Sequence, residues 1–130
     1  NASFEDCQVL LDCLSISKNN WEQALPLFNK IRKPDVDSIA KMAIENYIEM
    51  RDLVTQSNYI IRKKIANTLS EKFPQQFIPR YNMVSFSSIP YSQVYKRGEI
   101  QQEIISELIS DKLDLRKAEI LINRKLKEIV

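Results

Sequence analysis

Histidine is missing from the 130 residues altogether. With it goes the commonest general base and metal ligand. Glycine occurs once. That excludes a phosphate-cradling loop of the G-x-G-x-x-G or Walker type within these residues, because such loops need several backbone positions without a Cβ. The two cysteines, Cys7 and Cys13, stand six residues apart. On a helix they point to different sides, so they make neither a metal pair nor a redox C-x-x-C. They read as two small buried thiols in a reducing compartment. An excess of one charge is lacking too. The formal net charge is +2 with both signs interspersed, whereas nucleic-acid binding wants a concentrated basic face. No apolar run approaches the roughly 20 residues that span a bilayer. No charged and then apolar leader of the signal-peptide kind is visible. There is no initiator Met, and a chain opening "NASFEDC" suggests a cut from something longer or a processed product.

What is present is helical periodicity. Apolar content of 44% suits one compact domain with a modest core. The pattern predicts a mainly α fold of five to six helices, with one short extended segment near residues 83–87. Phe4 to Leu14 has helical spacing, with Ser3 as N-cap and Asp6 completing a capping-box-like start. Asn20 is placed as the N-cap of a helix running to about Lys33, with Pro26 inside it, and Pro34 marks a break. The longest helix is expected from about Asp37 to Gln56, its core face made of Val36, Ile39, Ala40, Ala43, Tyr47, Met50 and Val54. Another follows from about Asn58 to Lys72, with Ile61, Ile65 and Leu69 inward and Arg62, Lys63 and Lys64 outward. Pro74, Pro79 and Pro90 pin an extended stretch between them, with alternation at Met83, Val84 and Phe86. Residues 91–130 return to amphipathic helix, with a break near Ser110 to Asp114.

One stretch departs from economy. In "IENYIEMRDL", Asn46 and Glu49 lie at i and i+3 on the flank of the expected apolar face, while Glu45 and Asp52 point away into solvent. A buried amide or carboxylate is costly unless it is hydrogen-bonded. The flank is therefore simply wet, part of a polar network, or opposite a polar ligand. Tyr81, in "FIPRYNMV", carries an apolar ring with a polar tip. That suits an aromatic ligand pocket as well as it suits an ordinary core position. Arg51 and Arg80 read as solvated cations with the capacity to bind an anion.

Three blocks, "NASFEDCQVL", "NYIEMRDLV" and "FIPRYNMVSFSSIPY", together resemble the kynurenine 3-monooxygenase family of FAD-dependent aromatic hydroxylases, in its C-terminal region. The family's blocks look like N-A-G-F-E-D-C, N-Y-I-E-M-R and F-I-P-x-Y-x-M-V, and they occur here in the same order. The likeness covers roughly residues 1–95. It implies a parent enzyme that uses FAD and NADPH to hydroxylate the ring of L-kynurenine at position 3. It implies substrate contacts at Asn46 and Tyr81, with Glu49 and Met50 close by, and an edge of the flavin loop at Asn1. Ser3 stands where the family has Gly. The resemblance thus divides the chain into a substrate-wall region (1–95) and amphipathic C-terminal helices (96–130), with the FAD-binding domain absent. Such a fragment is not expected to be active or to bind cofactor alone, and it is expected to self-associate through the surface that would face the FAD domain. The charged C-terminus, in place of the membrane anchor of eukaryotic members, implies a cytoplasmic bacterial member with neither membrane nor nucleic acid as partner. The rival expectation is a stand-alone helical interaction module without catalysis.

Overall fold

The computed structural model describes residues 2–53, 56–110 and 114–128. They form α1 (Ala2–Ile16), α2 (Trp21–Ile48), a five-residue π-helical turn (Glu49–Leu53), α3 (Ser57–Lys72), α4 (Arg80–Phe86), α5 (Tyr91–Ser110) and α6 (Leu115–Lys125). The mainly α expectation holds, and there is no strand among the described residues. No described helix is long and apolar enough to cross a membrane.

α5 is the central element. Tyr91, Val94, Gly98, Gln101, Ile105 and Leu108 alternate steps of three and four, and all are buried. This is the spacing that keeps one seam of a helix facing its neighbours. The N-terminal half of the seam meets Met42 of α2 and Met83 of α4. The C-terminal half meets Ile65 and Leu69 of α3 and Ala118, Leu121 and Ile122 of α6. Fully burying one such Leu or Ile is worth roughly 1.5–3 kcal/mol. Gln101, buried in the seam, donates from Nε2 to the Ile78 carbonyl at 2.8 Å. Arg97 reaches the carbonyls of Gln76 and Lys127, fastening the 73–79 loop and the chain beyond α6 to α5. Burial lowers its pKa.

Several local expectations hold. Asn20 caps α2, its side chain accepting from the Glu22 N–H at 3.0 Å and the Gln23 N–H at 3.4 Å. Ile65 and Leu69 are buried. Asp114 caps α6, accepting from the Arg116 N–H at 2.9 Å, so the C-terminal region is two helices. Residues 111–113 and Val54 lie outside the described residues.

Other expectations are corrected. Residues 83–86 are not extended, because Arg80–Phe86 is a helix; of the expected segment only Ser87, which follows it, has extended backbone. A lone strand would have left its backbone groups unpaired. Pro79 instead starts a helical turn, with the Met83 N–H donating to its carbonyl at 3.1 Å. Ser3 lies inside α1, which begins at Ala2, so it is not the N-cap. Pro34 does not break α2, which runs through both Pro26 and Pro34. A proline in a helix interior costs about 3 kcal/mol, and the contacts around it offset that cost. Arg32 lies 2.7 Å from Asp6 and 3.5 Å from Glu5 on α1, while Asp35 accepts from the Ser92 N–H of α5 at 2.8 Å. The core side of α2 is rotated from the expected face. Met42 is buried and Ile39 half-buried, whereas Val36, Ala40, Ala43, Tyr47 and Met50 are exposed. Ile61 is half exposed, and Arg62 points inward to α5. Cys13 is buried as expected, but Cys7 is exposed.

The Arg32 cluster holds α1, both sides of Pro34 and α5 together, and its guanidinium side chain is 7% exposed. Arg32→Met should lower the unfolding free energy by roughly 2–4 kcal/mol, because it leaves Asp6 and Asp35 without their cation. Lys33→Met, which removes an exposed pair with Asp37, should cost less than about 1 kcal/mol. Urea denaturation compares the two, and equal effects would remove the cluster from its structural role.

Candidate functional site

The end of α2, the π turn, α3, α4 and α5 enclose an open groove of about 780 Å3. Its floor is apolar, with Met42, Ala66, Phe77 and Ile105, and its rim is polar. Such a mixture suits a small ligand that is partly aromatic and partly charged.

Asn46, Glu49 and Tyr81 all line this groove. Met50 does not line it. It is 69% exposed, and its Sδ accepts from Asn46 Nδ2 at 3.6 Å. Asn1 lies outside the described residues. Asn46 is exposed to the open groove, so the amide needs no internal partner to be tolerated. Glu49 is half-buried and opens the π turn, an irregularity frequent at functional sites. Its Oε1 accepts from the Tyr59 hydroxyl at 2.6 Å. That hydrogen bond, followed by desolvation and the negative charge, raises the Tyr59 pKa above its ordinary value. Tyr81 is 72% exposed and meets Phe86 edge to face at 6.0 Å. It is a rim residue rather than a core tyrosine.

Other groove residues were not singled out by sequence. Glu45, expected in solvent, turns inward. Its Oε2 accepts from Arg80 and its Oε1 accepts from the Tyr95 hydroxyl at 3.0 Å. The bond to Glu45 is the leading cause of a raised Tyr95 pKa. Arg62 donates to the Gln102 carbonyl at 3.2 Å, to Gln102 Oε1 at 2.8 Å and to Ser106 Oγ at 3.1 Å. All three acceptors are neutral groups of α5. The rotated face of α2 hid Glu45. The lone glycine inside a helical pattern was a visible mark of close packing, and it turns out to lie against Arg80.

The groove's chemistry is that of binding: an amide, a hydrogen-bonded carboxylate, phenols and a guanidinium around an apolar floor. Among the described residues no group of three His, Cys, Asp or Glu side chains could hold a metal ion.

No protein-family model matches the chain. Individual relatives do match. The chain is 40% identical over 131 residues to kynurenine 3-monooxygenase of Myxococcus xanthus, which takes in 97% of this chain and 28% of the relative. It is 39% identical over 111 residues to the kynurenine 3-monooxygenase of Cytophaga hutchinsonii, covering 85% of the chain and 25% of that relative. It is 39% identical over 110 residues to that of Caenorhabditis elegans, covering 85% and 24%. The chain thus spans about a quarter of the length of these relatives. The resemblance carried by the three blocks extends over nearly the whole chain and corresponds to a part of each relative.

The Tyr59–Glu49 bond has a pH signature. Because the folded-state pKa of Tyr59 is raised, the bond's contribution to stability is present below the ordinary tyrosine value of about 10. It is lost as pH climbs through the raised value. Glu49→Gln should bring the Tyr59 midpoint down toward that ordinary value. Spectrophotometric titration reads this, with Tyr59→Phe identifying the Tyr59 component by its loss, and an unchanged midpoint of that component in Glu49→Gln would refute the bond.

Proposed function

We propose that this chain, as a member of the kynurenine 3-monooxygenase family, is the C-terminal helical part of such an enzyme and forms one wall of its L-kynurenine pocket. The observation that carries this reading is convergence. Asn46 and Glu49 come from one motif block and Tyr81 from another, and all three line a single groove. Residues 1–95 supply the wall, and residues 96–130 back it, through α5 and α6.

Each residue has a role that follows from its chemistry. Asn46 can both donate and accept, so it pairs with a carbonyl or amine of the substrate. Tyr81 sets its ring edge and hydroxyl against an aromatic ligand. Glu49, fixed by Tyr59, keeps acceptor capacity for an amine. Met50 steadies the Asn46 amide from outside the groove. FAD, with NADPH as reductant and oxygen as co-substrate, supplies the hydroxylation chemistry. The single glycine is in mid-helix under Arg80, so the described residues offer no phosphate-cradling loop. Both cofactors are therefore held by other parts of the polypeptide, with Asn1 at the flavin's edge. A cytoplasmic, bacterial setting belongs to the same reading.

The exposed apolar residues favour a surface that something covers. Phe4 is 82% exposed and Trp21 55%, on the α1–α2 side. In this reading the flavin domain covers it, and in isolation the chain self-associates there. The second reading, an interaction module without catalysis, assigns the same surface to a protein partner. Isolating the native protein with an antibody to this segment separates the two. A yellow species several times heavier than 15.2 kDa supports the enzyme. A colourless species of the chain's own mass supports the module.

In the flavin-containing polypeptide, Asn46→Ala and Tyr81→Phe should each raise the KM for L-kynurenine by roughly 5- to 30-fold, corresponding to a lost hydrogen bond of about 1–2 kcal/mol. Flavin content should stay unchanged. Kynurenine-stimulated NADPH oxidation is the assay, and wild-type kinetics in both variants would sink the site assignment.

A further inference from the structure

The only glycine of the chain, Gly98, lies in the middle of α5. Its φ is not positive, so conformational freedom is not the reason for it, and glycine in a helix interior is unfavourable relative to alanine. What the position offers is space, filled by the tip of a long side chain that an added Cβ would displace. A Cβ at Gly98 would stand 2.6 Å from Arg80 Nε and 2.7 Å from Nη2, closer than real Cβ atoms come. The guanidinium of Arg80 rests on α5 where no side chain intervenes. Two other groups hold it there. Glu45 of α2 accepts from its Nη1, and the Tyr95 ring lies 5.7 Å from its Cζ. The other Glu45 oxygen takes the Tyr95 hydroxyl at 3.0 Å. α2, α4 and α5 are thus tied at one point.

That point is the residue next to Tyr81. α4 has seven residues, no side-chain N-cap bond, and Met83 as its one buried residue. With Met83 as its one fully buried anchor and only the half-buried Val84 packed beside it, so short a helix keeps freedom to pivot, and a planar, multidentate guanidinium is suited to stop it. We infer that Arg80 is a positioning residue: seated on Gly98 and held by Glu45 and Tyr95, it fixes the first turn of α4 and hence the place from which Tyr81 faces the groove. Only the consequence for catalysis rests on reading the groove as a substrate wall.

The lone glycine makes the clamp measurable. Selective 15N-glycine labelling gives one amide signal, from Gly98. Arg80→Ala and Glu45→Gln should both move it, and Arg80→Lys should not restore it, because a lysine ammonium lacks the planar fork. In a 13C-tyrosine-labelled chain the Tyr81 ring signals are assigned by their loss in Tyr81→Phe. They should shift in Arg80→Ala and also in Gly98→Ala, which keeps the arginine but evicts it from α5. Gly98→Ala should not lower Tm, since alanine favours the helix. If Arg80→Ala does not fold, Gly98→Ala and Glu45→Gln carry the same expectation. Unmoved Tyr81 signals in the folded variants would overturn the proposal.

Kinetics in the flavin-containing polypeptide then separates the clamp from the groove's identity. Arg80→Ala should raise the KM for L-kynurenine about fivefold or more, since small misplacements in a binding site are costly. The Arg80→Ala/Tyr81→Phe double variant should be no worse than the poorer single variant. Additive losses would mean that Arg80 does not act through Tyr81, and would overturn the proposal. Shifted Tyr81 signals with KM unchanged in every variant would uphold the positioning role and reject the groove as a substrate wall.

Discussion

The seam of α5 constrains everything around it. Its residues must satisfy two sets of neighbours, α2 and α4 toward one end and α3 and α6 toward the other. Apolar contacts alone would let those neighbours slide, because hydrophobic burial has no direction. The polar members of the seam and its flanks supply direction. Gln101 holds the chain just before α4, Arg97 holds the loop before it and the chain just beyond α6, and Gly98 leaves room for Arg80. Lys125 of α6 adds a pairing with Glu107 at 2.7 Å. That pairing lowers the carboxylate's pKa and raises the ammonium's.

The groove follows from this arrangement. α3 packs beside α5 through Ile65 and Leu69, and α4 through Met83. The space left between them is closed at its far side by the end of α2. The α-helix gives way there to the π turn that begins at Glu49. The carboxylates in the groove are each committed on one side to a phenol, Glu49 to Tyr59 and Glu45 to Tyr95. A carboxylate with a fixed donor is oriented and keeps lone pairs for a second one. The groove thus presents oriented polar groups over an apolar floor, a combination that suits a ligand part polar and part apolar.

Asn46, Glu49 and Tyr81 were legible as candidates because polar and amphipathic residues stood where apolar ones would have been easier to bury, and because they fell in blocks with a family resemblance. Glu45 was not legible. The apolar residues of α2 suggest a face centred on Ala40 and Ala43, yet the helix buries Met42 and turns Glu45 inward. Hydrophobic periodicity finds the face a helix can bury, while the neighbours decide which face is buried. An exposed apolar side at Val36, Tyr47 and Met50 is what remains. Arg62 was misplaced for a related reason. A long side chain can reach back across α5 to Gln102 and Ser106 from a position that the helical wheel puts at the boundary.

The sequence by itself determined the helical class, the start of α2 at Asn20, the division of the C-terminal region into two helices and the inward side of α3 at Ile65 and Leu69. These depend on spacing and on side chains that bond their own backbone, both local properties. Only the tertiary structure decided that α2 runs unbroken past Pro34, that residues 80–86 are helix, and that Asn46, Glu49 and Tyr81 share one groove. In each case the deciding interaction comes from residues distant in the chain: Glu5 and Asp6 reaching Arg32, Met83 finding Met42 and Val94, and Glu45 meeting Arg80 over Gly98. Local propensities differ by about a kilocalorie per residue. A buried ion cluster or a packed methionine outweighs them, and neither is visible until the chain is folded.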